Sequence, residues 1–154
     1  MSAVAAILEQ EIEHISRFVA VLNSEQEILK QGQTEGLPEF AQQKAALAEQ
    51  LNTLEQKRLT ALGLADNPNS KGQMESWLAE HSTETLAAVN WQNLLNLARE
   101  AKALNEINSQ LVEMHLRRTV ESLAVLTNQG EKQPLYGASG QAMATTGSRI
   151  VDSA

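Results

Sequence analysis

The chain has 154 residues, a length typical of one domain, with a net charge of −7 and no cysteine. The acidic balance argues against a nucleic-acid partner, because binding to a phosphate backbone depends on Lys and Arg displacing counterions. The lack of cysteine excludes disulfides and thiolate nucleophiles and suits a reducing compartment.

Two helices are predicted in the first 62 residues. The N-terminal apolar run is interrupted at Glu9 and has no basic segment before it, so we expect no secretory signal. Apolar residues spaced three and four apart indicate helices over 2–31 and 38–62. The Gly32–Gly36 segment separates them, and Pro38 suits the first turn of the second helix.

Two further helices and a tail follow. A short helix is expected at about 71–80, where Ser70 and Gln73 resemble a capping box. A long helix is expected at about 83–128, starting near Ser82 or Thr83, and whether Asn90 interrupts it stays open. With aromatic residues at 3%, aliphatic side chains must form the core. The predicted fold class is all-α: an antiparallel helical bundle at 1–129 followed by a flexible tail at 130–154.

The register of the first two helices can be predicted from the turn between them. If the chain reverses within Gly32–Gly36, residues whose numbers sum to 69 face each other. This places Glu25 opposite Lys44 and Glu11 opposite Arg58. It also aligns five apolar pairs, which are Leu29–Phe40, Leu22–Leu47, Phe18–Leu51, Ile15–Leu54 and Leu8–Ala61. The pattern predicts an antiparallel hairpin in which the charges fix the register more than they add stability.

Candidates for catalysis and metal binding are weak. Glu11 and His14 have the Glu-x-x-His spacing of di-iron bundles, but such a site needs the motif on two helices, and neither His81 nor His115 repeats it. No phosphate-binding glycine loop or nucleophile motif occurs in the sequence. We therefore expect a non-enzymatic protein with no cofactor and no metal.

The last helix carries more apolar residues than one contact stripe needs. One track holds Leu97, Ala101, Leu104, Ile107, Leu111 and Met114, and a second holds Val112, Leu116, Val120, Leu123 and Leu126. A helix that is apolar over a wide arc lies centrally in a bundle or keeps one face for a partner, and both interpretations stay open. Asn105 and Asn108 are suited to hydrogen bonding across helices, or are simply surface amides.

The tail contains the only tyrosine, Tyr136, in the stretch "QPLYGASGQAMATTG". Its sparse apolar content cannot offset the entropy of ordering the chain. A single large aromatic next to Gly137 is typical of a short linear motif, in which the ring fills a pocket and the glycine lets the backbones approach. The alternative is an incidental tyrosine.

Taken together, these features resemble the FlgN-type flagellar export chaperones. The resemblance rests on the second arm "LPEFAQQKAALAEQLNTLEQKRLTALGL", on "NEINSQLVEMHLRR" in the long helix, and on "LYGASGQ" in the tail. It covers nearly the whole chain, and its most specific element is Tyr-Gly-x-x-Gly at Tyr136, Gly137 and Gly140.

The resemblance implies a cytoplasmic chaperone that binds hook–filament junction proteins and delivers them to the flagellar type III export gate. Such a protein is expected to hold its cargo on the C-terminal helix, and periodicity then selects a set of contact residues. Tyr136 and Gly137 are expected to contact the cytoplasmic domain of the export-gate protein. The expected cargo residues are Leu104, Ile107, Leu111, Met114, Leu116, Val120 and Leu123. The alternative is a structural or adaptor coiled-coil bundle with no export role.

Overall fold

The computed structural model describes residues 2–64 and 69–130. Over these ranges the chain forms four α-helices and no strand, which are α1 (Ala3–Lys30), α2 (Leu37–Ala61), α3 (Ser70–Glu80) and α4 (Thr85–Gly130). The predicted all-α class is therefore confirmed. No helix in the described part of the chain is long and apolar enough to cross a membrane.

Helices α1 and α2 end in the same glycine-dependent way. Gly32 and Gly63 follow the last turns with φ of 74° and 76°, a left-handed conformation that L side chains rarely adopt. Backbone N–H groups after each helix bond back into its last turn, Gln33 to Ile28 O at 2.9 Å and Leu64 to Leu59 O at 2.8 Å. These are Schellman ends, which satisfy the carbonyls that a helix leaves unpaired.

The start of α3 differs from the prediction. Asn69, not Ser70, is the N-cap, and its side chain accepts from Gly72 N–H at 3.1 Å. The predicted capping box was one residue late, because asparagine caps a helix as well as serine does. Helix α4 starts at Thr85, two residues later than expected, because the residues after His81 form a turn with Glu84 N–H bonded to His81 O. Asn90 does not interrupt α4.

By its internal contacts the chain divides into two units, Met1–Val112 and Glu113–Ala154. The first contains the hairpin, α3 and most of α4; the described part of the second is the helical segment 113–130. The predicted boundary between 129 and 130 stays a prediction. Residues 131–154, which are the predicted tail without its first residue, lie outside the described residues, and Gly130 is the last residue of α4.

In the first unit α1 lies against both of its long neighbours. Two ion pairs join α1 to α2 in an antiparallel hairpin, and two asparagine side chains of α4 donate to α1 carbonyls. Asn90 reaches Ala5 O at 3.4 Å and Asn108 reaches Leu22 O at 2.9 Å. Because both contact positions advance together along the two helices, α4 runs parallel to α1.

The core of the first unit has two clusters. The larger joins α1, α3 and α4 near the N-terminus of α1, and the smaller lies further along α1 and α4. The buried members are Val4, Ala5, Leu8, Met74, Ala87, Trp91 and Leu94 in the larger cluster, and Val19, Leu22 and Ala101 in the smaller. On α2 the predicted stripe needs one correction: Ala61 is exposed, while Leu59 is buried and Leu62 packs against the larger cluster.

Candidate functional site

Both predicted charge pairs of the hairpin form, and both pairs of residue numbers sum to 69. Lys44 Nζ lies 3.0 Å from both carboxylate oxygens of Glu25. Arg58 donates from Nε to Glu11 Oε2 at 2.8 Å and from Nη2 to Oε1 at 3.2 Å. The register predicted from the turn is thus confirmed at two points separated by about four helical turns.

The Glu25–Lys44 pair also holds α4. Asn108 Nδ2 donates to Glu25 Oε1 at 2.9 Å as well as to the carbonyl of Leu22. Asn108 is 2% exposed and Glu25 5% exposed, so this is an interior polar junction of three helices. Of the two amides predicted to cross between helices, Asn108 does so, whereas Asn105 is exposed.

The Glu11–Arg58 pair is buried under α4. Each residue is 3% exposed, and the Arg58 guanidinium carbon lies 5.0 Å from the centroid of the Trp91 ring. Burial raises the pKa of Glu11 above its ordinary value, although the hydrogen bond and charge of Arg58 oppose that shift. The sequence analysis did not identify Trp91 as a core residue. Trp91 follows Ala87 by four residues and precedes Leu94 by three, and this helical spacing indicates that all three share one buried face.

Glu11 and His14, which share the Glu-x-x-His spacing, have separate partners, and the Glu11 carboxylate is paired with Arg58. The His14 Nδ1 atom lies 2.8 Å from the carbonyl of Gln10, on its own helix. Among residues 2–64 and 69–130, no three His, Asp or Glu side chains are grouped to hold a metal ion.

The segment 113–130 carries an apolar face that the described chain leaves uncovered. Leu116, Val120 and Leu123 are 61%, 55% and 58% exposed. At ~100° per residue they fall within about 60° of arc, so they form one continuous strip along the helix. We call these three residues the apolar face; Leu126, 63% exposed, lies at its edge.

The structure separates the other predicted cargo residues from this face. Leu104 and Leu111 are half-buried and continue the buried stripe of Ala101. Ile107, in the first unit, is 44% exposed. Met114, also 44% exposed, lies in the segment 113–130, about 160° around the helix from Leu116. The assignment of these seven residues to cargo stays a prediction. The other two predicted site residues, Tyr136 and Gly137, lie outside the described residues.

Large exposed apolar strips on a small protein mark surfaces for contact with other macromolecules. The fold and this face together define a small all-helical bundle protein whose distinctive surface is an uncovered stretch of one long helix.

Comparison with known proteins gives the particular family. The FlgN protein family model matches residues 1–144, and the chain belongs to this family. A flagella synthesis protein FlgN from Yersinia enterocolitica is 31% identical over 137 residues, covering 88% of this chain and 86% of that protein. Its namesakes from Proteus mirabilis and Salmonella typhimurium are 30% and 29% identical over 146 and 143 residues, each covering 92% of this chain and 91% of theirs. No solved structure gives a significant match.

Proposed function

We propose that this chain is a non-enzymatic, cytoplasmic export chaperone of the flagellum. It binds hook–filament junction proteins through α4 and delivers them to the type III export gate. Membership of a family whose curated relatives are named flagella synthesis proteins supports the flagellar role. The observation that carries the chaperone role is the apolar face, since a free helix strip of this kind suits a second amphipathic helix.

The proposed contact is helix against helix. An apolar strip on a cargo helix packs onto Leu116, Val120 and Leu123, and burying each such side chain contributes roughly 1.5–3 kcal/mol before the costs of association. The segment 113–130 has two glutamates and two arginines, so no net charge opposes docking. Covering the cargo strip in this way prevents its premature self-association without ATP.

The remaining predicted cargo residues take a secondary place in this proposal. Leu104 and Leu111 support the helix from its half-buried side. Met114 contacts cargo only if the cargo wraps around the segment 113–130, because Met114 lies about 160° around that helix from Leu116. Ile107, in the first unit, contacts cargo only if the cargo extends beyond the segment 113–130.

The export-gate contact is proposed for Tyr136 and Gly137, on the strength of the family resemblance. Two sites on one chain make gate docking of bound cargo an intramolecular event, so a modest affinity at each site suffices. The cytoplasmic domain of the export-gate protein is the expected partner.

A matched pair of variants tests the cargo site. Val120 and Val125 are both 55% exposed on the same helix, about 140° apart. Val120→Asp should weaken binding of a purified hook–filament junction protein by about 10–100-fold, since a buried, unpaired carboxylate costs ~1.4–3 kcal/mol even after partial solvation. Val125→Asp should leave binding within about twofold. Equal losses from both variants, measured by calorimetry, would contradict the assignment of the face.

A second pair of variants tests the gate site. Tyr136→Ala should leave the thermal unfolding midpoint and cargo affinity unchanged while secretion of junction proteins falls, and Tyr136→Phe should retain most secretion because the ring remains. If no variant and no deletion of the chain changed secretion, the chain would be a structural adaptor instead.

A further inference from the structure

A groove in the first unit is separate from the apolar face. It lies between α2 and α4, with α1 as its floor, and has a volume of about 460 Å³. Its apolar lining comes from all three long helices: Ile15 and Phe18 on α1, Leu51 on α2, and Leu94 and Leu95 on α4. Leu94 is buried and the other four are half-buried, so the groove presents apolar surface without exposing whole side chains.

Two hydrogen-bond donors at this groove lack a partner among the described residues. Arg58 Nη1 and Trp91 Nε1 are buried without an acceptor, although Arg58 and Trp91 both line the groove and each residue is 3% exposed. Leaving a buried donor unpaired costs roughly 1–3 kcal/mol. An acceptor carried by a molecule bound in the groove would satisfy these two donors.

The charged residues that line the groove favour an uncharged acceptor over a carboxylate. Glu11 and Glu55 are balanced by Arg58 and Lys71, and Glu11 already takes two of the hydrogen bonds that Arg58 can donate. A further carboxylate would be buried next to Glu11, where like charges oppose each other. An uncharged oxygen, as in the side chain of Gln or Asn, can accept from either donor without that penalty.

We propose that this groove is a second docking site, which receives an amphipathic helix of a partner protein carrying a Gln or Asn on its apolar face. The apolar lining comes from three helices, so an amphipathic helix laid along the groove would pack against all three at once. The partner's apolar residues contact Phe18, Leu51 and Leu95, and its amide oxygen accepts from Arg58 Nη1 or Trp91 Nε1 after a small side-chain adjustment. The proposal does not depend on the cargo function of the apolar face.

The probes are three synthetic helical peptides of about 18 residues with one apolar stripe, identical except for Gln, Glu or Leu at its centre. Binding is followed by the fluorescence of Trp91 in a Trp77→Phe background, which leaves Trp91 as the sole tryptophan of the chain. We expect the Gln peptide to bind at least 10-fold more tightly than the Glu and Leu peptides, with a shift in Trp91 emission.

Blocking variants locate the site, and their peptide binding is measured by calorimetry because each of them adds a second tryptophan. Ala98 is exposed and lines the groove, so Ala98→Trp should fill it and abolish peptide binding. Ala103 is equally exposed on the same helix but does not line the groove, so Ala103→Trp is the matched control and should bind as the parent does. Ala48→Trp blocks the groove from α2 and should repeat the loss, which covers the case in which Ala98→Trp unfolds.

Several results would overturn the proposal. One is equal affinity for all three peptides, which would leave the two donors without a role in recognition. Others are binding that survives both Ala98→Trp and Ala48→Trp, or no binding at millimolar peptide. Loss of peptide binding in Val120→Asp would move the site to the apolar face. If the unsubstituted chain bound the peptide normally but bound no hook–filament junction protein, only the proposed function would be contradicted.

Discussion

The buried Glu11–Arg58 pair offers the sharpest test of how the hairpin and α4 are held together. Arg58→Met keeps much of the side-chain volume but removes both hydrogen bonds to Glu11 and the cation above Trp91. The carboxylate that remains is 3% exposed and has no compensating charge at hydrogen-bond distance. Breaking a buried pair from one side costs about 3–5 kcal/mol, a large share of the ~5–15 kcal/mol that stabilises a typical domain.

The double variant Glu11→Met with Arg58→Met should behave differently. Replacing both members with apolar side chains removes the desolvation cost along with the attraction, so its stability should equal or exceed that of the parent by up to ~4 kcal/mol. The two single variants should therefore couple by several kcal/mol. For a chain of this size the single Arg58→Met change corresponds to a fall of roughly 10–15 °C in the unfolding midpoint.

Urea denaturation followed by circular dichroism measures the free energy of unfolding of the parent, Glu11→Met, Arg58→Met and the double variant. Repeating the measurement at several pH values tests the role of Glu11 separately. Burial raises the pKa of Glu11 from 4.5 in the parent, and loss of Arg58 should raise it further. A carboxyl with a higher pKa folded than unfolded adds stability at low pH and loses it as pH rises through the folded value. The difference in the free energy of unfolding between the parent and Arg58→Met should therefore become smaller as the pH is lowered from 7 towards 4.5.

Additive effects would refute this reasoning. If the double variant loses as much as the two single variants together, within ~0.5 kcal/mol, the pair has no coupling and the register must be set by the apolar contacts alone. A deficit of Arg58→Met that grows as the pH falls would contradict the account of Glu11 desolvation.

Three further predictions concern the first unit. Lys44→Glu should lower the free energy of unfolding by about 3 kcal/mol. Adding Glu25→Lys should restore that stability only partly, because Asn108 Nδ2 then faces a cation. Full restoration would exclude Asn108 from the junction. Asn108→Leu should cost about 1–3 kcal/mol, with faster amide exchange in the middle of α4 as the readout of loosened packing on α1. Met74→Ala should lower the free energy of unfolding, measured by denaturant titration, by about 2–5 kcal/mol, because Met74 is fully buried in the larger cluster. A loss below about 1 kcal/mol would mean that Met74 does not anchor α3 in that cluster.

Some of the proposed site was accessible to sequence reasoning and some was not. The surplus of apolar residues on the last helix left two interpretations open, a central position in the bundle or a partner surface, and periodicity named Leu116, Val120 and Leu123 on one track. It also placed Met114 in the cargo set, although Met114 lies about 160° around the segment 113–130 from Leu116. Periodicity gives the faces of a helix but not which of them a neighbour covers. The groove beside Trp91 had no signal in the sequence, because three separate helices form it.

The sequence by itself determined the hairpin, because its information is local. A glycine-rich turn fixes where the chain reverses, and the charges of Glu11, Glu25, Lys44 and Arg58 then specify one register, which the two ion pairs confirm. Only the tertiary structure decided that Glu11, Glu25 and Arg58 are buried and that α4 runs parallel to α1, with Asn108 closing the Glu25 junction. Those outcomes depend on α4 packing over the hairpin from about 80 residues away along the chain, and no spacing within one helix encodes such a contact.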